Sequence, residues 1–321
     1  MQTGICTLPA NKLAIKIPKY LIFSVIFLTS LCGNSFVCWA VWKRLRMRTV
    51  MNYFLVNLAI ADLAFTLICI PFDLPVQENS CAWPYFEALC KALFPLQTMC
   101  AYASVFTLTA IGFSRYRAIA HPLKTQMGLA AAKRIIIAIW IASFVLVLPY
   151  VLVLKVNPTT SHCAESWPEP KQIYSRVYSF AIFSTQYALP LTVVFGSYLK
   201  ICHELRTNGT PKADGRSQPA HARDAEKVLK MSIVVTVVFA VCALPNHIVW
   251  MVLDFAENNC AQCNTWVIVA NMFIFANSAA DPVVYTVFNE KYREEIKNLF
   301  HQRKRREARG QNGNVEELSA L

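Results

Sequence analysis

The sequence predicts an all-α membrane protein, a seven-transmembrane helix bundle followed by a short amphipathic eighth helix. Three observations carry this. The 321-residue chain is 55% hydrophobic with a mean hydropathy of +0.38, and only 16% of its residues are charged, against about a quarter in soluble domains. Seven long apolar segments, at about 20–42, 52–76, 88–114, 133–154, 178–200, 228–253 and 265–288, reach or exceed the ~20 residues a helix needs to cross a bilayer. With residue 1 placed outside, 7 of the 31 Lys and Arg residues fall in outer segments and 24 inside, the asymmetry that orients membrane helices. The formal charge of +12 is then an inner surface facing anionic lipid, not a nucleic-acid footprint.

The elements follow in order. Residues 1–18 read as an extracellular N-terminus without the apolar core of a cleaved signal, so the first helix is expected to insert as a signal anchor. Residues 19–288 form the seven-transmembrane domain, 289–300 the amphipathic helix 8 and 301–321 a disordered cytoplasmic tail. Helix 1 carries Asn34 in GNSFV, and helix 2 carries Asp62 in NLAIADLAF and ends in IPFDLP. Helix 3 runs without charge from Lys91 to Arg115, so Cys90 and the SRYR cluster mark opposite membrane faces, with Gln97 between them. The second outer segment, about 155–173, alternates polar and aromatic residues around Cys163, which suits a short hairpin. The inner segment NGTPKADGRSQPA is Gly/Pro-rich and reads as a loop; its NGT sequon faces the cytoplasm and is discounted. Helix 6 has Pro245 as a kink, helix 7 carries NSAADPVVY, and Tyr292, Ile296 and Leu299 share one stripe of helix 8.

Two sets of residues carry chemistry. Asp62 and Asp281 are the carboxylates at membrane depth, beside Asn34, Asn277 and Ser104. A charge at the bilayer centre costs at least about 2.5–3.5 kcal/mol on insertion scales, so such residues face partners. Two acids together bind a cation such as Na+ or share a proton, and no other cofactor is expected. Cys90 and Cys163 both fall outside, where a disulfide persists, and their pairing would tie helix 3 to the second outer loop. Cys6, Cys81, Cys260 and Cys263 allow three connectivities and stay open. CAQC is one pair without a matching Cys or His pair, which is poor as a metal site.

Taken in order, these landmarks resemble the rhodopsin-like (class A) G-protein-coupled receptors: GN at Asn34, LAIAD at Asp62, WPYFxxxCK into helix 3, SRY at Arg115, Trp140, Pro190 with Tyr198, FxxCxxP at Pro245 and DPxxY at Tyr285. Within that family the chain is similar to peptide receptors of the neuropeptide Y and RFamide type, through CxExWP at Cys163, the following IY and QYALPL, and Gln97 where amine receptors carry an aspartate. The resemblance implies a plasma-membrane receptor, not an enzyme, for a basic, amidated extracellular peptide, acting on a cytoplasmic heterotrimeric G protein. It implies a ligand cavity at Gln97, Asp254, His247, Met251, Asn271 and Asp73, with Asp254 receiving a ligand arginine. It implies an inner switch of Arg115, Tyr116, Tyr198, Phe239, Pro245, Pro282 and Tyr285. An opsin is excluded, because residues 265–288 hold no lysine for a Schiff base.

Departures from that pattern matter. Ser114 stands where the family has an acid beside the inner arginine, and Asp224 and Glu226 flank Ala225 where relatives carry a restraining acid. Weak resting-state locking and ligand-independent signalling are expected. Ala243 replaces the usual tryptophan two before Pro245, so the relay is expected to pass through Phe239. A non-signalling decoy or constitutively active orphan is the alternative. A transporter would need ion flux dependent on Asp62 and Asp281, and no internal repeat supports one. The tail has no cysteine for palmitoylation and one hydroxyl residue, Ser319, which predicts weak arrestin recruitment, and it ends in LSAL, a PDZ-type strand.

Overall fold

The computed structural model describes residues 13–79, 82–121, 124–159, 161–207, 220–255 and 263–299. Its elements are α1 (Leu13–Lys43), a 3-10 turn at Leu45–Met47, α2 (Val50–Glu78), α3 (Glu87–Ala120), α4 (Leu129–Val153) and a hairpin of β1 (Leu154–Val156) and β2 (Cys163–Glu165). Helix α5 runs over Lys171–Ile182, through a π turn at Phe183–Ala188, and on over Leu189–Thr207. It is followed by α6 (Ala220–Phe255), α7 (Cys263–Phe288) and a short α8 over 290–299. Seven of these helices are long and apolar enough to cross a membrane. The bundle has a Cys90 end and an Arg115 end, the outer and inner ends under the charge asymmetry.

The helices outrun the apolar runs. α1 begins at Leu13 and α5 at Lys171, because a membrane helix continues past the hydrocarbon boundary while its backbone bonds can still close. Cys6, Cys81, Cys260, most of the third inner loop, the side chains of Asp224, Glu226 and Cys263, and the tail with Ser319 and LSAL lie outside the described residues.

Helix α3 is the central column, touching α2, α4, α5, α6 and β1. Polar ties fix it: Asn57 Nδ2 donates to Thr107 Oγ1 at 2.7 Å, and Trp140 Nε1 donates to Asn57 Oδ1 at 2.8 Å, joining α2, α3 and α4. The inner-half core joins Leu55, Leu108, Ile111, Val235, Phe239 and Tyr285. Ile137, Ile141 and Phe144 of α4 and Phe195 of α5 stay exposed, as lipid-facing side chains would. α1 and α7 approach closely at Gly33, where an added Cβ would sit 2.6 Å from the Cβ and Cγ of Pro282. Only a residue without a side chain fits there.

The first inner loop is clamped to α8. Arg44 Nε donates to Glu295 Oε2 at 2.8 Å, and Arg46 Nη2 to Glu295 Oε1 at 2.5 Å. Burial alone would raise the Glu295 carboxyl, but Arg46 and Arg44 override it and hold the group below its usual value. The buried stripe of α8 is thus Tyr292 and Glu295 with half-buried Ile296, while Leu299 is exposed. The expected apolar stripe has a carboxylate in its middle, because the two arginines of the loop arrive there.

Candidate functional site

The outer cavity is built around the disulfide. Cys90 at the start of α3 is bonded to Cys163 of β2, with the two Cα atoms 5.8 Å apart. The hairpin pairs Val156 with Cys163 and Leu154 with Glu165. Successive side chains of a strand alternate faces, so Cys163 and Glu165 point the same way. The first outer loop meets the hairpin turn through Trp83 N donating to Ser161 O at 2.7 Å, and the Trp83 ring packs on Tyr85 and Phe94.

Beneath this cover lies a cavity of about 430 Å³, within the size range of small-ligand sites. Of the ligand residues expected from sequence, Gln97, Asp73, His247, Met251 and Asn271 line it. The sixth, Asp254, does not. Its carboxylate accepts from Ser175 Oγ at 2.8 Å and from Ser179 Oγ, while Arg176 Nε donates to its backbone carbonyl at 3.1 Å. Ser179 itself lines the cavity, so Asp254 stands one side chain behind the wall.

The acids that do line it are Asp73 and Glu165, and no lysine or arginine is among the described lining residues. Glu165 Oε2 accepts from Trp167 Nε1 at 2.5 Å. Burial raises the Glu165 carboxyl above its ordinary value. Asp73 Oδ2 accepts from Gln77 Nε2 at 2.6 Å.

The π turn of α5 shapes the far wall. An extra residue in the turn swings side chains inward, a device common at functional sites. Here Gln186 Nε2 donates to Thr98 O at 3.2 Å, Thr185 Oγ1 meets Tyr102 Oη at 2.8 Å, and Tyr187 Oη donates to Ala240 O at 3.1 Å. Buried His247 sits against Phe183 and Tyr187, with ring centroids 5.9 and 5.1 Å away.

A second, smaller cavity of about 40 Å³ lies deeper, lined by Asp62, Ser104, Asn277 and Ser278 together with Phe239 and Ala243. Phe65, Ala101, Gln186, His247 and Ile274 border both cavities. Asn34 donates to Ser278 O at 2.9 Å and to Ser30 Oγ at 3.1 Å. The side-chain oxygens Asn34 Oδ1, Asp62 Oδ2, Asn277 Oδ1 and Asp281 Oδ1 are buried without a protein partner. Of these residues Asp62 and Asn277 line the small cavity, whereas Asn34 and Asp281 do not; carboxylate and amide oxygens are the hard donors that a cation such as Na+ takes.

At the inner end, Arg115 Nε and the hydroxyls of Tyr198 and Tyr285 are likewise buried without a partner. Among the described residues no carboxylate pairs with Arg115, and the neighbouring Ser114 is buried. Tyr198 packs with Tyr116, Ile119 and Leu229. Phe239 joins the inner core near Ala243 and Tyr285, Pro245 and Pro282 lie within α6 and α7, and Tyr285 faces Tyr292 of α8 at 6.5 Å between centroids.

Seven membrane-length helices around these sites define a helical membrane protein, and residues 33–285 match the 7 transmembrane receptor (rhodopsin family) profile. The chain belongs to that family and is a multi-pass membrane protein, a G-protein-coupled receptor and not an enzyme. It is 31% identical to human neuropeptide FF receptor 1 over 301 residues, 88% of this chain and 69% of that protein. It is 30% identical to rat neuropeptide FF receptor 2 over 299 residues, 87% and 71% of the two chains. Sequence reasoning missed Glu165, Gln77, Gln186 and the π turn. The CxExWP run contained Glu165, and β alternation from Cys163 was the signal that would have found it. The π turn has no such signature.

Proposed function

We propose that this chain is a plasma-membrane receptor, N-terminus outside, for a basic and amidated extracellular peptide. The observation that carries it is the outer cavity: apolar and aromatic walls, carboxylates at Asp73 and Glu165, and no lysine or arginine among its described lining residues. Such a site favours a cationic, donor-rich ligand. The relatives named as neuropeptide FF receptors support a neuropeptide as the ligand. Their being receptors favours signalling over the decoy alternative.

Ligand binding shifts the population between two helix packings. His247 and Gln186 border both cavities, so they carry contact from the ligand to the Asp62 region. Ala243 lines the deeper cavity with a single methyl group, and buried Phe239 takes the relay onward. Asp62 and Asp281, with Asn34, Asn277 and Ser104, would hold Na+, which supplies positive charge that keeps the acids ionised in the resting packing. Arg115 and Tyr116, with Tyr198 and Tyr285, form the inner switch that meets the heterotrimeric G protein. Lys43 at the end of α1 and Arg48 just after the 3-10 turn stand exposed and would face anionic headgroups. The test is a G-protein activation assay of the full chain against a library of amidated peptides, with Arg115→Ala as control. Activation by a basic amidated peptide that Arg115→Ala abolishes is expected; silence across the library overturns the reading.

A further inference from the structure

Two acceptors on α2 share one wall of the outer cavity. Asp73 and Gln77 are four residues apart and therefore neighbours on the helix surface, and both line the cavity. The Gln77 amide donates to Asp73, which turns its own carbonyl oxygen away; that Oε1 is buried without a partner. The segment is held in place from outside, with Tyr85 Oη donating to Phe72 O at 3.3 Å. The nearby cation, Lys19, does not line the cavity. Its ammonium is committed to Glu78 Oε1 at 2.8 Å, on a carboxylate shared with Lys16.

We infer that Asp73 and Gln77 form a second cation subsite, which receives a guanidinium or protonated amine of the ligand distinct from the one met by Glu165. A carboxylate and an unpartnered amide oxygen one helical turn apart present two acceptors to the cavity, which suits a group with several N–H donors such as a guanidinium. Asp73 lies on α2 and Glu165 on the hairpin, two separate elements of the cavity wall, and each meets its own cationic group. The ligand is then a peptide with at least two cationic groups, and α2 discriminates it from monobasic relatives. This rests on the peptide-receptor reading above.

The experiment is a double-mutant cycle on the full-length receptor in membranes. The probe is a synthetic octapeptide ending in Arg-Phe-NH2 with a second arginine and a free amino terminus. In its analogues each arginine becomes citrulline in turn, or the amine is acetylated. Asp73→Asn is expected to weaken the parent peptide about 10- to 100-fold, as for loss of a charged hydrogen bond. One neutralised analogue should lose nothing further on that variant, while a different analogue is insensitive to Glu165→Gln. Gln77→Leu should weaken the same cationic group more modestly, and Asp73→Glu should retain the discrimination. If Asp73→Asn does not reach the surface, Gln77→Leu and Asp73→Glu carry the cycle. Equal losses for every analogue on wild type and variants overturn the inference while leaving the peptide-receptor reading intact. No binding of any probe to wild type overturns the reading itself.

Discussion

Gly33→Ala is the sharpest test of the packing that supports the deep polar site. The new Cβ would lie 2.6 Å from two ring carbons of Pro282, about 1 Å inside ordinary carbon–carbon contact. Proline has a closed ring and cannot swing aside, and both residues lie within helices. Either α1 and α7 separate or strain is stored, at about 1–3 kcal/mol for an overpacked core. Separation would also stretch the bond from Asn34 Nδ2 to Ser278 O, 2.9 Å long, worth about 0.6 kcal/mol between membrane helices. Against this, alanine gains up to about 1 kcal/mol over glycine in helix propensity. The balance is a net loss of about 1–2 kcal/mol. At about 2–4 °C per kcal/mol for a chain of this order, the melting temperature of detergent-solubilised receptor should fall by roughly 2–8 °C. Gly196→Ala is the control: a Cβ there meets nothing within 4 Å, so it should be neutral or slightly stabilising. If Gly33→Ala melts at or above Gly196→Ala, the close approach of α1 and α7 is not as described.

Three further outcomes are expected. Cys90→Ser opens a disulfide that closes 73 residues; chain entropy alone caps its worth at about 4 kcal/mol, less because α3 and α4 stay in the bilayer. It should detach the hairpin and abolish peptide response, and a normal dose–response curve would refute that. Glu295→Gln should cost about 1–3 kcal/mol, below the cost of a fully buried pair because Arg44 and Arg46 are partly exposed. The Glu295 carboxyl is depressed in the folded chain, so its contribution is present above the unfolded value and is lost as pH falls through the folded one. Acid titration of melting temperature should therefore be flatter in the variant than in wild type, and equal slopes would contradict the clamp. Ser114→Asp places a carboxylate beside Arg115, which has none as a partner among the described residues; basal G-protein activation should drop several-fold, and an unchanged basal level would show that Arg115 is restrained otherwise.

Much of the architecture was legible because membrane insertion is decided locally. Runs of apolar residues, the side bearing Lys and Arg, and the buried acids at Asp62 and Asp281 are properties of short windows, and each window reports its own depth. Cys90 and Cys163 could be read as a pair because both fall on the side that the charge asymmetry makes outer, but that side holds four more cysteines, and the bond itself is seen only in the structure. The candidate site was legible in part. Gln97, Asp73, His247, Met251 and Asn271 line one cavity because inward-facing positions on neighbouring helices converge. Asp254 failed that expectation: its place on α6 is right, but Ser175 and Ser179 of α5 occupy its oxygens.

What only the tertiary structure decided is how the helices are rotated and how closely they approach. The π turn at Phe183–Ala188 re-aims Gln186 toward α3, the hairpin register brings Glu165 into the cavity, and the absent side chain of Gly33 admits Pro282. Each depends on contacts between residues far apart in the chain, and no local composition encodes them. Sequence by itself determined which segments enter the membrane; packing between those segments determined which side chains share a site.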